Sequence, residues 1–136
     1  MRLDIYLNYP GNCEEAFRFY ERELGATVGL MQRHGSVPTP NPSLPADWKD
    51  KILHAQLTIG NAVLMGADIP GAEPMRSAYV TLTVDTVDEA ERVYRVLGDG
   101  GEIFMKMSET FFAKRFGMLR DRFGTSWMLL HGVRHG

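Results

Sequence analysis

The chain is poor in several features that would have announced a function. It has one cysteine, Cys13, which excludes an intramolecular disulfide and a cysteine-built zinc cage and makes a reducing cytoplasm the expected setting. No apolar run approaches the roughly 20 residues of a membrane span, and no membrane partner is expected. The opening MRLDIYLNYP lacks the long apolar segment and cleavage site of a secretory signal. Acidic and basic residues nearly cancel, leaving a net charge of −2 and no electrostatic reason to expect nucleic acid. No glycine-rich nucleotide loop lies between parallel strands. With 44% hydrophobic and 24% charged residues, the 136 residues have the composition of an ordinary globular domain able to bury a core.

What is present is a repeat. Asn12-Cys13-Glu14-Glu15 sets a capping residue three positions before a glutamate, and Thr86-Val87-Asp88-Glu89 does the same. This is the spacing of a capping box, in which cap and glutamate satisfy each other's free backbone N–H groups. Beyond the caps, Glu15-Ala16-Phe17-Arg18-Phe19-Tyr20 matches Glu89-Ala90-Glu91-Arg92-Val93-Tyr94 at an offset of 74, with four of six positions identical. Glycines follow both stretches (Gly25; Gly98, Gly100 and Gly101), as they commonly follow helices.

A strand with two unlike faces precedes each helix. Leu3, Ile5, Leu7 and Tyr9 alternate with Arg2, Asp4, Tyr6 and Asn8, and Ala78, Val80, Leu82 and Val84 alternate with Ser77, Tyr79, Thr81 and Thr83. The apolar face of each should lie under its helix, leaving the mixed face to meet something else. Further strands are predicted at Thr27–Gln32, Ile52–Ile59 and Ala62–Gly66, with Gly60-Asn61 as a tight turn. In the second half they are predicted at Glu102–Met107, Arg115–Arg120 and Ser126–Leu130. The plan reads βαβββ–βαβββ in one domain over 1–136, with modules at about 1–67 and 75–133. His34 to Asp50, with Pro38, Pro40, Pro42 and Pro45, must be a loop. It is a candidate lid with Trp48 as a plug.

Paired βαβββ modules resemble the vicinal-oxygen-chelate superfamily of glyoxalase I, fosfomycin-resistance and bleomycin-binding proteins and extradiol dioxygenases. Three stretches resemble its PhnB-like branch: Tyr6-Leu7-Asn8 with Gly11 to Phe17 and Phe19-Tyr20; Leu53-His54-Ala55-Gln56-Leu57; and Phe116-Gly117-Met118 to Ser126-Trp127-Met128-Leu129. The resemblance implies an α+β fold whose tandem modules form a curled mixed sheet around a cavity, with the helices outside, and a homodimer. The branch pattern Thr-Phe-Trp-Gly-Ala-Arg-Phe-Gly-Met is altered here to Thr110-Phe111-Phe112-Ala113-Lys114-Arg115-Phe116-Gly117-Met118, which changes local bulk and charge.

Metal-using members place His, Gln or Glu on the first and last strand of each module. The corresponding positions here are Ile5 or Tyr6, Tyr79 or Val80, Leu64 or Met65, and Trp127 or Met128, so no metal or other cofactor is expected. The residues expected to contact a ligand are Tyr6, Asn8, His54, Gln56, Met65, Tyr79, Thr81 and Trp127. His54 is the one candidate acid or base, set against a reading as a histidine tied to its neighbours by hydrogen bonds. His34, His131 and His135 are scattered, which points to solvated side chains.

Cys13, in a helix's first turn, is either a thiol activated by the dipole or a small buried residue; the adjacent Glu14 and Glu15 favour the second. The aromatic and methionine cluster of the second half (Phe104, Met105, Met107, Phe111, Phe112, Phe116, Met118, Trp127, Met128) reads as a ligand pocket, core or dimer interface. Lys114, Arg115 and Arg120 read as partners of an anionic ligand or as a solvated strand face.

Three functions follow: a protein that binds a small, partly apolar molecule in the cavity without metal; a metal-dependent lyase, isomerase or transferase of the glyoxalase type; or a structural or interaction domain without ligand. The missing metal ligands favour the first.

Overall fold

The computed structural model describes residues 1–39 and 41–134; Pro40 of the proline-rich loop and His135 at the C-terminus lie outside the described residues. Two compact units form, Met1–Glu73 and Pro74–Gly136. The first contains β1 (Ile5–Tyr9), α1 (Cys13–Leu24), β2 (Thr27–Arg33), β3 (Ile52–Ile59) and β4 (Ala62–Asp68). The second contains β5 (Val80–Val84), α2 (Val87–Gly98), β6 (Glu102–Ser108), β7 (Ala113–Arg120) and β8 (Ser126–Val133). Each is a βαβββ module, and the fold class is α+β, as the repeat implies.

Each unit has its own four-stranded mixed sheet, ordered β1-β4-β3-β2 and β5-β8-β7-β6. In both, the first strand runs parallel to the last, and the other pairs are antiparallel. Several strands outrun their sequence signals. Strand β7 starts at Ala113 because that residue pairs with Val133 on the lengthened β8. At the N-terminus the reverse holds: Leu3, part of the alternation, stays 87% exposed and precedes β1.

In the first unit the helix covers the apolar face. Ala16, Phe17 and Tyr20 of α1 are fully buried, as are Ala55, Leu57 and Leu64 of the strands. The ring of Phe17 meets that of Tyr9 edge-on at 6.1 Å between centroids. Helix and sheet approach so closely that a Cβ on Gly66 would stand 2.8 Å from Phe17 Cζ and 3.2 Å from Leu7 O. In the second unit α2 buries Ala90, Val93 and Leu97, while Leu119, Trp127 and Leu129 are buried in the sheet.

The two helices begin differently, although their sequences begin alike. Thr86 Oγ1 accepts the Glu89 N–H at 3.0 Å, one half of a capping box, while the Glu89 carboxylate takes two bonds from Arg92. Asn12 forms no side-chain cap, and its Oδ1 is buried without a partner among the described residues. Its place is taken from the far end of the unit by Asp68, which is 1% exposed. Asp68 Oδ1 accepts the N–H groups of Gly11 (3.1 Å) and Cys13 (2.9 Å), and Oδ2 accepts that of Ile52 (2.8 Å). No described helix is long and apolar enough to cross a membrane.

Candidate functional site

With its apolar face under α1, the first sheet turns the other face outward. The register aligns Tyr6 of β1 with Met65 of β4, and Met65 with Gln56 of β3. Asn8, one step along, is also exposed. Tyr6 and the imidazole of His54 stack at 5.6 Å between centroids and 29° between planes, with the phenol oxygen 3.0 Å from Nδ1. On the other side of the ring, Nε2 lies 3.3 Å from the Gln56 amide. Five of the expected ligand-contacting residues (Tyr6, Asn8, His54, Gln56 and Met65) therefore lie on one outward face, three of them in a continuous chain of polar contacts.

The chain admits two proton arrangements. If the Gln56 amide N–H donates to Nε2, then Nδ1 carries the ring proton and donates to Tyr6, whose own O–H is free for a ligand. If the amide is turned over, Nε2–H donates to its oxygen and Tyr6 donates to Nδ1. Partial burial pushes the Tyr6 phenol above its ordinary value, so it stays protonated at neutral pH.

In the second unit the outward row is Thr81, Met128, Met118 and Met105, paired in that order across the four strands. Thr81, not Tyr79 or Val80, is the partner of Met128, because β5 begins at Val80 and that residue pairs with Trp127. Tyr79 precedes the strand and meets Phe104 edge-on at 6.4 Å. Trp127 is not on this face. It is completely buried and donates Nε1–H to Asp121 Oδ2 at 2.9 Å. A strand has only two sides, and Trp127 takes the side that Leu129 shares.

Other polar candidates are engaged. Arg115 bonds Glu91 at 3.0 Å. Arg120 bonds the Met75 carbonyl and Glu102, and its guanidinium lies 5.1 Å over the Phe104 ring. Two histidines expected to be solvated are not: His34 is buried with Nε2 at 3.0 Å from the Asp68 carbonyl, and His131 Nδ1 is 2.9 Å from the Val84 carbonyl. Cys13 is fully buried, and burial, then the charges of Asp68 and Glu14, push its thiol far up, the opposite of activation.

Comparison with known proteins agrees with this architecture. The model of the Glyoxalase/Bleomycin resistance protein/Dioxygenase superfamily matches residues 2–129, and the chain belongs to that family. It is 33% identical over 139 residues to Protein YjdN of Escherichia coli (strain K12), covering 95% of this chain and 94% of that one. The crystal structure of protein PA1353 from Pseudomonas aeruginosa superposes with a TM-score of 0.86 at 41% identity, over 97% of this chain and 98% of the other. A Bacillus cereus PhnB protein, described as a putative 3-demethylubiquinone-9 3-methyltransferase, shares the fold at a TM-score of 0.81 and 23% identity, over 97% and 100% of the two chains.

The strand positions at which the resemblance to metal-using proteins would place ligands can be tested by the side chains they carry. Tyr6 with Met65, and Thr81 with Met128, offer a phenol, a hydroxyl and two thioethers. Hard and borderline divalent cations favour carboxylate and imidazole, and neither pair of donors fits them. Among the described residues, no group of three or more His, Cys, Asp or Glu gathers elsewhere.

Proposed function

We propose that the protein binds a small, partly apolar molecule on the outward face of the Tyr6–His54–Gln56 strands, by shape and fixed polar groups and without a metal. The observation that carries the reading is the contact chain from Tyr6 through His54 to Gln56 beside the Met65 thioether. A ligand site needs such a combination: an apolar floor and a few oriented donors and acceptors. Within the second unit, the methionine row is by itself a soft, adaptable apolar surface. The same reading has the protein in the cytoplasm as a homodimer, by analogy with paired members of its family. The exposed apolar residues Ile103, Phe104 and Met105 on the edge strand β6 support the pairing.

The test is a thermal-shift screen against a small-molecule library, repeated on Tyr6→Phe and His54→Gln. A ligand at about 100 times its Kd adds about 2.7 kcal/mol of stability to a protein that binds it. The expected result is a stabilising compound whose effect is lost in both variants. A hit indifferent to both would refute the location, and one tightly held divalent ion per chain in metal analysis would refute the metal-free reading. A catalytic role is a second reading, favoured by the Tyr6–His54 contact, which would let the phenol donate a proton while the imidazole restores it. Its signature is turnover lost in Tyr6→Phe with ligand binding retained.

A further inference from the structure

Described residues between β2 and β3, chief among them His34, Asn41, Leu44, Trp48 and Lys49, line an open cavity of about 440 Å³. That volume lies in the range of small-molecule pockets. The loop is anchored rather than splayed. The His34 and Gly35 N–H groups donate to the Lys51 and Lys49 carbonyls, each at 2.9 Å, and Gly35 sits so near Lys49 that a Cβ there would be 3.0 Å from its carbonyl oxygen.

Three polar groups of this cavity have defined roles. The Asp68 carbonyl can only accept, so His34 Nε2, 3.0 Å away, must carry the ring hydrogen. The neutral ring is thereby fixed in one tautomer with its lone pair on Nδ1, and Nδ1 has no partner among the described residues. Asn41 Oδ1 is taken by the Ser43 N–H at 3.0 Å and hydroxyl at 2.7 Å, which leaves the Asn41 amide nitrogen as a free donor. Lys49 forms no ion pair among the described residues, and no Asp or Glu lines the cavity. The apolar wall is Trp48, 6.2 Å from the His34 ring centroid, with Leu44, Pro42 and Pro45.

From this arrangement we infer that the loop cavity is a second ligand site, separate from the Tyr6–His54 face, for a planar aromatic carboxylate carrying an O–H or N–H donor. The ring lies against Trp48 and the prolines, its donor meets the His34 Nδ1 lone pair, and its carboxylate meets Lys49 and the Asn41 amide. Aromatic stacking supplies affinity, the fixed imidazole supplies selectivity, and the unpaired ammonium selects the charge.

The test uses 4-hydroxybenzoate as the probe, with benzoate and phenol as comparisons, titrated into the full-length ¹⁵N-labelled protein. The expected result is saturable shifts of the Trp48 indole and of the Gly35 and Ala46 amides. Benzoate, which leaves Nδ1 unpaired, and phenol, which leaves Lys49 unpaired, bind more weakly. Lys49→Glu reverses an exposed charge without touching the fold and weakens the hydroxybenzoate by about fivefold or more. The inference is overturned by the absence of saturable shifts at millimolar probe, by equal binding to Lys49→Glu, or by shifts confined to Tyr6, His54 and Gln56. That last pattern would leave the face proposed above as the site of binding, whereas saturable shifts at Trp48, Gly35 and Ala46 would sustain the loop site even if the screen on Tyr6 and His54 failed.

Discussion

Replacing Asp68 should damage this protein more than any surface change, although the residue lies far in sequence from the helix it serves. Its carboxylate receives the Gly11, Cys13 and Ile52 N–H groups at 3.1, 2.9 and 2.8 Å in a site only 1% exposed. A hydrogen bond to a charged group contributes about 1.5–3 kcal/mol, and a buried donor left unpaired costs about 1–3 kcal/mol. Three such bonds do not add in full, since water can enter a truncated site, so Asp68→Ala is expected to cost about 3–5 kcal/mol. Asp68→Asn keeps one acceptor oxygen but turns an NH₂ toward an N–H, and about 2–4 kcal/mol is expected. Thr86→Ala, which removes a single local cap, sets the scale at about 1 kcal/mol. Asn12→Ala removes a side chain that caps nothing and should be neutral within about 0.5 kcal/mol. Urea unfolding followed by circular dichroism measures all four. A loss below 1 kcal/mol for Asp68→Ala, or an Asn12→Ala loss equal to that of Thr86→Ala, would refute the assignment of the cap.

Other outcomes follow from the same geometry. Cys13, fully buried and with its thiol pushed up by burial and by Asp68 and Glu14, should resist alkylation at pH 8 and react once urea unfolds the chain; rapid native modification would contradict this. Gly66→Ala drives a methyl group against Phe17 and Leu7 and should cost about 1–3 kcal/mol, read as a drop in Tm. Tyr6→Phe and His54→Gln alter an outward face and should change stability by no more than about 0.5–1 kcal/mol, so that any loss of ligand binding is not a loss of fold. The Arg33 bond holds the Glu14 carboxyl below its ordinary value. Its contribution is therefore present above the unfolded carboxylate range and lost as pH falls through the depressed value. Because both partners are more than a third exposed, Arg33→Ala should lower stability only slightly at neutral pH and not at all in acid, read as the difference in urea midpoint between the two pH values.

Where the signals were local, the sequence could be read closely. Thr86 caps α2 as its spacing to Glu89 implies, and the alternation through Leu7 and Tyr9 sorts the buried face from the Tyr6 and Asn8 face. The His54 face was legible for the same reason, since Ala55 and Leu57 on either side of Gln56 are buried. What depended on distant partners was not. Nothing near Asn12 reveals that a carboxylate 56 positions later accepts the Gly11 and Cys13 N–H groups on either side of it while its own side chain caps nothing. Trp127 illustrates the cost of a one-residue register: it and Met128 are both large and apolar, and only the pairing with Val80 and Thr81 separates core from outward face. The partner of His34 is a backbone carbonyl, which leaves no trace in sequence, so its loop setting points to solvent while the structure buries it.

The two helix starts also carry a consequence for the order of folding. The signal that begins α2 lies within four consecutive residues, 86 to 89, and can act as soon as that turn is sampled. The signal that begins α1 is a contact between residues 13 and 68, and its loop must close before it exists. An isolated peptide spanning α2 should thus retain more helix at its N-terminus than one spanning α1. In the whole chain, the first turn of α1 belongs to the late events that complete its sheet. Two copies of one plan have come to differ in when, during folding, their helices learn where to begin.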